Sequence, residues 1–382
     1  MLSYKKTSWI ILSIIVVVLI ASGIFTQISQ EKSRSTIKIG DLSALTGPFA
    51  VAGEMLGKSS QIAADEINAS GGINGKKIEI ITEDTANDSK KAVGSYQNLK
   101  LKGVRYFIGE SSPVIIPLRP LAIADGNLLI SSSAVAPSFS DDEALTCRFA
   151  LTSPNIASAL INLLNKKNYR AASLLLPNSE YGKSLSTELL KYIEKLPVTL
   201  VSTEFYSVTD TSDYRTNITK VVSQQKSSDV LIFVNNSNTI EAMLKQLKQL
   251  GWKKPIITDN ATTNNPSLKD LSLIEGVEYV DYEYSRSTSE SDSTETKSFK
   301  EKYKKLSGND AVYIPAGHYD AIKLLAHAIK EVGDNPQKVA QFISTLQNYQ
   351  GITGSLSFNK DCEAKRINFY RKFENGAFVE VK

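Results

Sequence analysis

Apolar residues follow two different patterns along this chain. Between Lys6 and Glu31 there are 24 residues without a charge, and Trp9 to Phe25 within them is almost wholly apolar. About 20 such residues span the hydrocarbon core of a bilayer as a helix. Lys5 and Lys6 precede the run, so the positive-inside rule keeps a tip, 1–7, in the cytoplasm and sends the rest across. The pattern predicts a membrane segment over 8–26 and a linker over 27–36. Two fates are open: retention as a signal anchor, or cleavage as a signal peptide beside the small residues Ala21-Ser22-Gly23. The first Cys is Cys147, which excludes a lipid anchor directly after the run.

From Thr36 onward, short apolar runs alternate with longer stretches of helical period. Ile37 to Gly40 reads as a strand, Thr46-Gly47-Pro48 as a turn, and about Glu54 to Asn68 as a helix with Leu56, Ala63 and Ile67 on one stripe. Gly71-Gly72 stops that helix and Asn74-Gly75 turns the chain into a strand near Ile78 to Ile81. A helix near Lys90 to Lys100, capped by Asp88 or Ser89, leads to strand Val104 to Ile108. A helix through Leu121 leads to strand Leu128 to Ile130. After Pro154 the alternation restarts, with strands near Ala172 to Leu176, Val198 to Phe205, Val230 to Val234 and Pro255 to Thr258 separated by helices. Ser285 to Ser298 reads as a solvated loop. Helices follow near Phe299 to Leu306, Tyr319 to Val332 and Val339 to Leu346, then Gly354 to Phe358 and a hairpin across Glu374-Asn375-Gly376. Two open α/β sheets, each covered on both faces, are the predicted architecture.

Composition narrows the function. The 382 residues suit two domains, and 44 Lys plus Arg against 40 Asp plus Glu is too even for a nucleic-acid partner. Without Lys5 and Lys6 the exported part holds 42 basic against 40 acidic residues. Two isolated Cys and two His, His318 and His327, leave little material for a metal site, and no cofactor motif occurs. A hydrolase would need one of those His as base; no HExxH, GxSxG or Walker pattern is present, so an enzyme is not expected.

Ligands of open α/β sheets sit beyond the carboxyl ends of strands. Three loops there carry chemistry: Thr46-Gly47-Pro48-Phe49, Gly109-Glu110-Ser111-Ser112-Pro113, and Ser131-Ser132-Ser133-Ala134-Val135-Ala136-Pro137. Serine hydroxyls at helix starts either cap the helix or donate to an anion. Two such loops at adjacent strand ends describe a carboxylate pocket.

The motifs Ile37-Lys38-Ile39-Gly40 with Thr46-Gly47-Pro48, Ala63-Ala64-Asp65-Glu66-Ile67-Asn68-Ala69-Ser70-Gly71-Gly72-Ile73-Asn74-Gly75, Asp84 with Asp88 and Ala92, Glu180-Tyr181-Gly182, Tyr319-Asp320-Ala321, and Gly354 with Ser357-Phe358 and Asp361 occur in one order. In this the chain resembles the periplasmic binding proteins of the leucine/isoleucine/valine-binding type that serve ABC importers. The resemblance implies a type I fold: two Rossmann-like lobes, 37–150 plus 284–352 and 151–283 plus 353–382, joined by crossovers near Phe149 to Thr152, Val280 to Tyr284 and Gln350 to Gly354. It also implies a small ligand trapped by hinge closure, and a permease and ATPase as partners. Matching intervals place carboxylate binding on Ser112 and Ser133, with Ser111 and Ser132 beside them, and the covering tyrosine at Tyr181. The chain departs from the pattern where Val135 replaces a Thr, Ala52 an aromatic residue, and Asn235 or Asn236 another aromatic. The acidic partner of an amino-acid ammonium falls at Asp259 or Asn260, with Asn260 the better alignment. If Asp259 does not face the ligand, a zwitterion is a poor fit, because a buried ammonium needs a paired carboxylate. The expected ligand is a small carboxylate, a branched-chain amino acid foremost, with amides and ureas bound by a tethered sensing receptor as the alternative.

In that fold Cys147 lies just before the first crossover and Cys362 just after the third, on the oxidising side of the membrane. A Cys147–Cys362 disulfide and two unpaired thiols are both open, and a Cα separation beyond about 7 Å would exclude the first.

Overall fold

A computed structural model describes residues 36–139, 145–208, 213–281, 284, 292–366 and 369–381. The expected membrane segment 8–26, with its tip 1–7 and all of the linker but Thr36, lies outside the described residues; Thr36 opens the first strand instead. Among the described residues, no helix is long and apolar enough to cross a membrane.

The first sheet has the order β2-β1-β3-β4-β5 and is parallel throughout. Its strands are β1 (Thr36–Ser43), β2 (Lys77–Asp84), β3 (Tyr106–Gly109), β4 (Leu128–Ser131) and β5 (Thr146–Arg148). Helices α1 (Ala50–Ala69), α2 (Ser89–Leu101), and the short α3 (Ser112–Ile115) and α4 (Arg119–Asp125) connect them. Both faces are covered, so β3 and β4 are buried from end to end and read as continuous apolar runs. The expected cap is present: the Asp88 side chain accepts from Lys90 N and Lys91 N.

The second sheet repeats the winding. Helix α5 (Ser153–Lys166) leads into β6 (Ala171–Pro177), α6 (Glu180–Ile193), β7 (Thr199–Tyr206), α7 (Arg215–Ser223), β8 (Val230–Phe233), α8 (Ile240–Gln249), β9 (Ile256–Asp259), the single turn α9 (Asn260–Thr263) and β10 (Glu278–Asp281). The remaining elements are α10 (Thr294–Ser307), α11 (Tyr313–Val332), α12 (Pro336–Thr345), β11 (Tyr349–Gly351), β12 (Gly354–Phe358), β13 (Ala364–Lys365), β14 (Phe369–Glu374) and β15 (Ala377–Glu380). The sheet order is β7-β6-β8-β9-β10-β14-β15, the last two strands running antiparallel. Within each sheet the first strand therefore lies between the second and the third. The carboxyl ends of β1 and β3, and of β6 and β8, flank a topological switch point.

Several motif residues prove to be structural ties. Asn68 bonds both the N–H and the carbonyl of Ile78, and the Tyr319 hydroxyl donates to Glu66, joining α11 to α1. Asp320 accepts from Ile352 N and Thr353 N at 2.9 Å. A Cβ at Gly351 would come within 2.5 Å of its carboxylate, which explains the glycine there.

Three expectations are corrected. No strand was expected at β5, whose three residues are too few to show a period. Residues 294–298, read as part of a solvated loop, begin α10 instead, because Ser293 caps it by accepting from Thr296 N. The rest of that loop, 285–291, lies outside the described residues. Glu278–Asp281 is a paired strand of the second sheet, ending within the interval Val280 to Tyr284 where a crossover was expected. The third crossover was expected near Gln350 to Gly354, but that stretch forms a small sheet, β11-β12-β13, tied to the first sheet rather than the second. Arg148 of β5 bridges to Glu363, its N–H donates to the Cys362 carbonyl, and Cys147 is disulfide-bonded to Cys362 with a Cα separation of 4.7 Å. The chain joins the second sheet only at β14. Of the two open alternatives for the cysteines, the disulfide is the one present.

Candidate functional site: a cavity between two sheets

Loops after β1, β3 and β4 face loops after β6, β8 and β9 across a cavity of about 100 Å³. A cavity needs only ~10–15 Å³ to hold one water, so this one is roomy enough for several waters or a small ligand.

Two close approaches shape the walls. A Cβ at Gly53 in α1 would fall 2.0 Å from the Ala44 carbonyl, and one at Gly182 in α6 would fall 1.9 Å from the Pro177 carbonyl. Glycine thus lets each helix start press against the strand end that precedes it. Through Gly182 this fixes the adjacent Tyr181 against the cavity.

On the first wall stand Ser111, Ser112, Ser133 and Val135. Ser112 Oγ accepts from Val135 N at 3.3 Å and Ala136 N at 3.2 Å, leaving its own proton for a ligand. The Ser111 hydroxyl donates to Asn87 Oδ1 and that of Ser133 to the Glu110 carbonyl. Ser132 does not line the cavity; it is buried behind it, 3.3 Å from His318 Nδ1. The reason is alternation: Ser132 continues the β4 strand path while Ser133 turns out of it. Val135, with Ala52 and Phe49, gives this side an apolar lining, and Ala150, with Ile156 of α5, adds to it where the chain passes to the second sheet. Phe49 supplies an aromatic ring close to where Ala52 leaves a gap in the family pattern.

On the second wall stand Tyr181, Asn236, Asp259 and Asn260. Asp259 caps α9, its Oδ1 accepting from Thr262 N at 3.2 Å and from the Thr262 hydroxyl at 3.1 Å. Its Oδ2, the Asn236 Oδ1 and the Tyr181 hydroxyl are buried with no hydrogen-bond partner. Burial pushes the Asp259 carboxyl up to about 6 against the pull of the Thr262 donors. Three unpartnered buried polar atoms on one wall, two of them acceptors only, define a socket for a hydrogen-bond donor of positive charge. Asp259 thus faces the cavity, which removes the expected objection to a zwitterion; Asn260 lines the same wall without supplying the charge.

Among the described residues, no Lys or Arg lines the cavity. Its carboxylates are Asp259 and Glu110. Sequence reading passed over Glu110, although a lone acid between an apolar strand and a Ser pair was a visible signal. It also passed over Arg148, which is fully buried in β5 and donates to the carbonyls of Ala134 at 3.0 Å and Ala136 at 2.8 Å, bracing the loop that carries Val135.

A Ser-His-Asp arrangement does occur, with His318 Nε2 3.0 Å from Ser60 Oγ and 3.6 Å from Asp41 Oδ2. All three are buried and none lines the cavity. Burial pushes Asp41 up, but His318, Ser43 and Ser60 more than offset it and hold the carboxyl below its ordinary value. This is a polar tie within the first lobe, closed to substrate.

Two sheets of this winding around one cavity define the clamshell class of solute-binding proteins. The chain belongs to the periplasmic binding protein family, whose model matches residues 36–369. This is a family of binding proteins, not enzymes. The leucine-, isoleucine-, valine-, threonine- and alanine-binding protein of Pseudomonas aeruginosa is 22% identical over 360 residues, 93% of this chain and 94% of that protein. Leu/Ile/Val-binding protein homolog 1 of Brucella suis biovar 1 is 26% identical over 353 residues, 87% and 89% respectively. Among solved structures, the branched-chain amino acid transporter substrate binding protein LivJ from Streptococcus pneumoniae, in complex with isoleucine, has a TM-score of 0.78 at 23% identity, covering 91% of this chain and all of that one. A solute binding protein of an ABC transporter from R. palustris, in complex with benzoate, has a TM-score of 0.80 at 15% identity, covering 91% and 95%. Fold likeness alone therefore does not choose between an amino acid and a simple carboxylate.

Proposed function

We propose that this protein is the extracytoplasmic substrate-binding component of an ABC importer, capturing a branched-chain amino acid between two lobes and delivering it to a permease driven by an ATPase. Asp259 carries the choice of ligand. Its free Oδ2 sits in a cavity that no cationic side chain lines among the described residues. A ligand bearing only a carboxylate would meet this carboxylate unpaired, whereas an amino acid brings the ammonium that satisfies it. Ser112, with Ser133 beside it, receives the ligand carboxylate, Tyr181 covers it, and Val135, Ile156 and Phe49 surround a branched aliphatic side chain. In this reading one lobe consists of 37–150 with 284–366 and the other of 151–283 with 369–382. The ligand stabilises the closed form by touching both. Segment 8–26 holds the protein at the outer membrane-facing side of its permease, as a retained anchor or before cleavage.

A thermal-shift panel on the full chain in mild detergent tests the reading. Leucine, isoleucine and valine at about 100 times their dissociation constants should each add roughly 2.7 kcal/mol. A shift with benzoate, amides or ureas and none with these three would refute it.

A further inference from the structure

Glu110 occupies an unusual place on the first wall. It lines the cavity beside Ser111 and Ser112, yet it is 6% exposed and its carboxyl has one bond to the protein: Oε1 accepts from Ala44 N at 2.7 Å. Oε2 makes none. The charged groups around it are almost all acidic. Asp41 at the end of β1 and Asp84 at the end of β2 both act on it, and Asp259 stands on the opposite wall. Tyr181 of α6 and Tyr313 of α11 line the same space, and His318 of α11 is engaged with Asp41. An ionised Glu110 would place a carboxylate in the loop that receives the ligand's carboxylate. The same loop is short of protons, since two of the three serine hydroxyls on this wall are committed to Asn87 and to the Glu110 carbonyl.

We propose that Glu110 is a specificity-determining residue that stays protonated in the ligand-bound protein and donates a hydrogen bond from Oε2 to the ligand carboxylate, so that capture weakens as Glu110 ionises. The inference rests on the cavity taking a carboxylate-bearing ligand. Burial, reinforced by Asp41 and Asp84 and opposed by the Ala44 N–H, pushes this carboxyl up to about 8. At neutral pH the group is therefore mostly a donor. Above that value the bond is lost and two like charges face each other. A buried acid kept neutral so that it can donate is a known device of binding and catalytic sites. Here it also confers selectivity: a donor at Oε2 favours a ligand that presents an acceptor to this wall over one that presents only donors.

The test is calorimetric titration of the full chain with isoleucine at several pH values between about 6.5 and 9, in wild type and Glu110→Gln. Gln keeps a donor near Oε2 and cannot ionise. In wild type the dissociation constant should be flat at low pH and weaken by up to about tenfold per pH unit above about 8. Glu110→Gln should bind within a few-fold of wild type at the low end and lose that dependence. A flat wild-type profile would overturn the proposal. So would a correctly melting Glu110→Gln protein that loses isoleucine by about a hundredfold at low pH, because an ionised carboxylate would then be the group in use. Carbon-13 carboxyl spectra of the ligand-free protein give a second readout: the resonance missing from Glu110→Gln should titrate above neutrality, and titration in the ordinary range would refute the protonated state. If isoleucine fails to bind while 3-methylbutanoate or benzoate binds, the amino-acid reading falls and the same pH series is read on that ligand. If no carboxylate binds, both fall.

Discussion

Cys147 and Cys362 are bonded to each other across 215 residues, and the bond fastens the small β12–β13 segment to the edge strand of the first sheet. It lies within one lobe and does not cross the cavity. Loop-closure entropy for an interval this long predicts that replacing both cysteines by alanine costs up to about 5 kcal/mol. Chemical denaturation should show that loss. Ligand affinity under native conditions should change by less than about threefold, because neither cysteine lines the cavity.

Asp259→Asn should separate stability from function. The Asp259 carboxyl lies at about 6 in the folded protein, above its ordinary value near 3.8. A raised folded value means the folded state holds its proton more tightly, so this residue's contribution is fully present below about pH 4 and is lost as pH rises through about 6. At pH 7.5 and above, the ligand-free Asn variant should therefore be the more stable protein, by on the order of 1–2 kcal/mol. Melting both proteins across that range checks the sign. A variant less stable than wild type at neutral pH would mean that Oδ2 has a partner.

Arg148→Lys keeps the charge but not the fork that reaches two carbonyls at once. The loop from Ala134 to Ala136 would lose one of its two braces. We expect a loss of roughly 2–4 kcal/mol in stability and at least a tenfold weaker ligand affinity. Denaturation and calorimetry on the same preparation measure both.

Gly182→Ala places a methyl group against the Pro177 carbonyl, where the present spacing to a Cβ would be 1.9 Å. The first turn of α6 must move, and Tyr181 moves with it. A stability loss of about 1–3 kcal/mol is expected, with ligand affinity falling alongside. Unchanged affinity would show that Tyr181 does not cover the ligand.

The alternation of strands and helices was readable because it depends on local period and on glycine and asparagine stops. Gly71-Gly72 and Asn375-Gly376 lie at positive φ where turns were expected, and Asp88 caps the helix assigned to it. The pocket was partly readable: eight of the nine proposed residues line one cavity, and Ser132 does not. What escaped has common causes. β5 and α9 are too short to show a period. Phe49 lies three residues from the position where family spacing put an aromatic group. Glu110 and Arg148 derive their roles from burial and from partners distant in sequence, which spacing does not reveal. Asp259 and Asn260 are a one-residue choice that spacing does not make; both line the cavity, and Asp259 also caps α9.

A ligand ammonium paired with Asp259 is the contact on which the choice of ligand turns. Calorimetric titration of the full chain with isoleucine and with 3-methylbutanoate, in wild type and in Asp259→Asn, tests it most directly. Wild type should prefer isoleucine by at least about thirtyfold and Asp259→Asn should erase the preference, as expected for truncating one partner of a buried charge pair. Equal affinity of wild type for the two ligands, or undiminished isoleucine binding by Asp259→Asn, would contradict it.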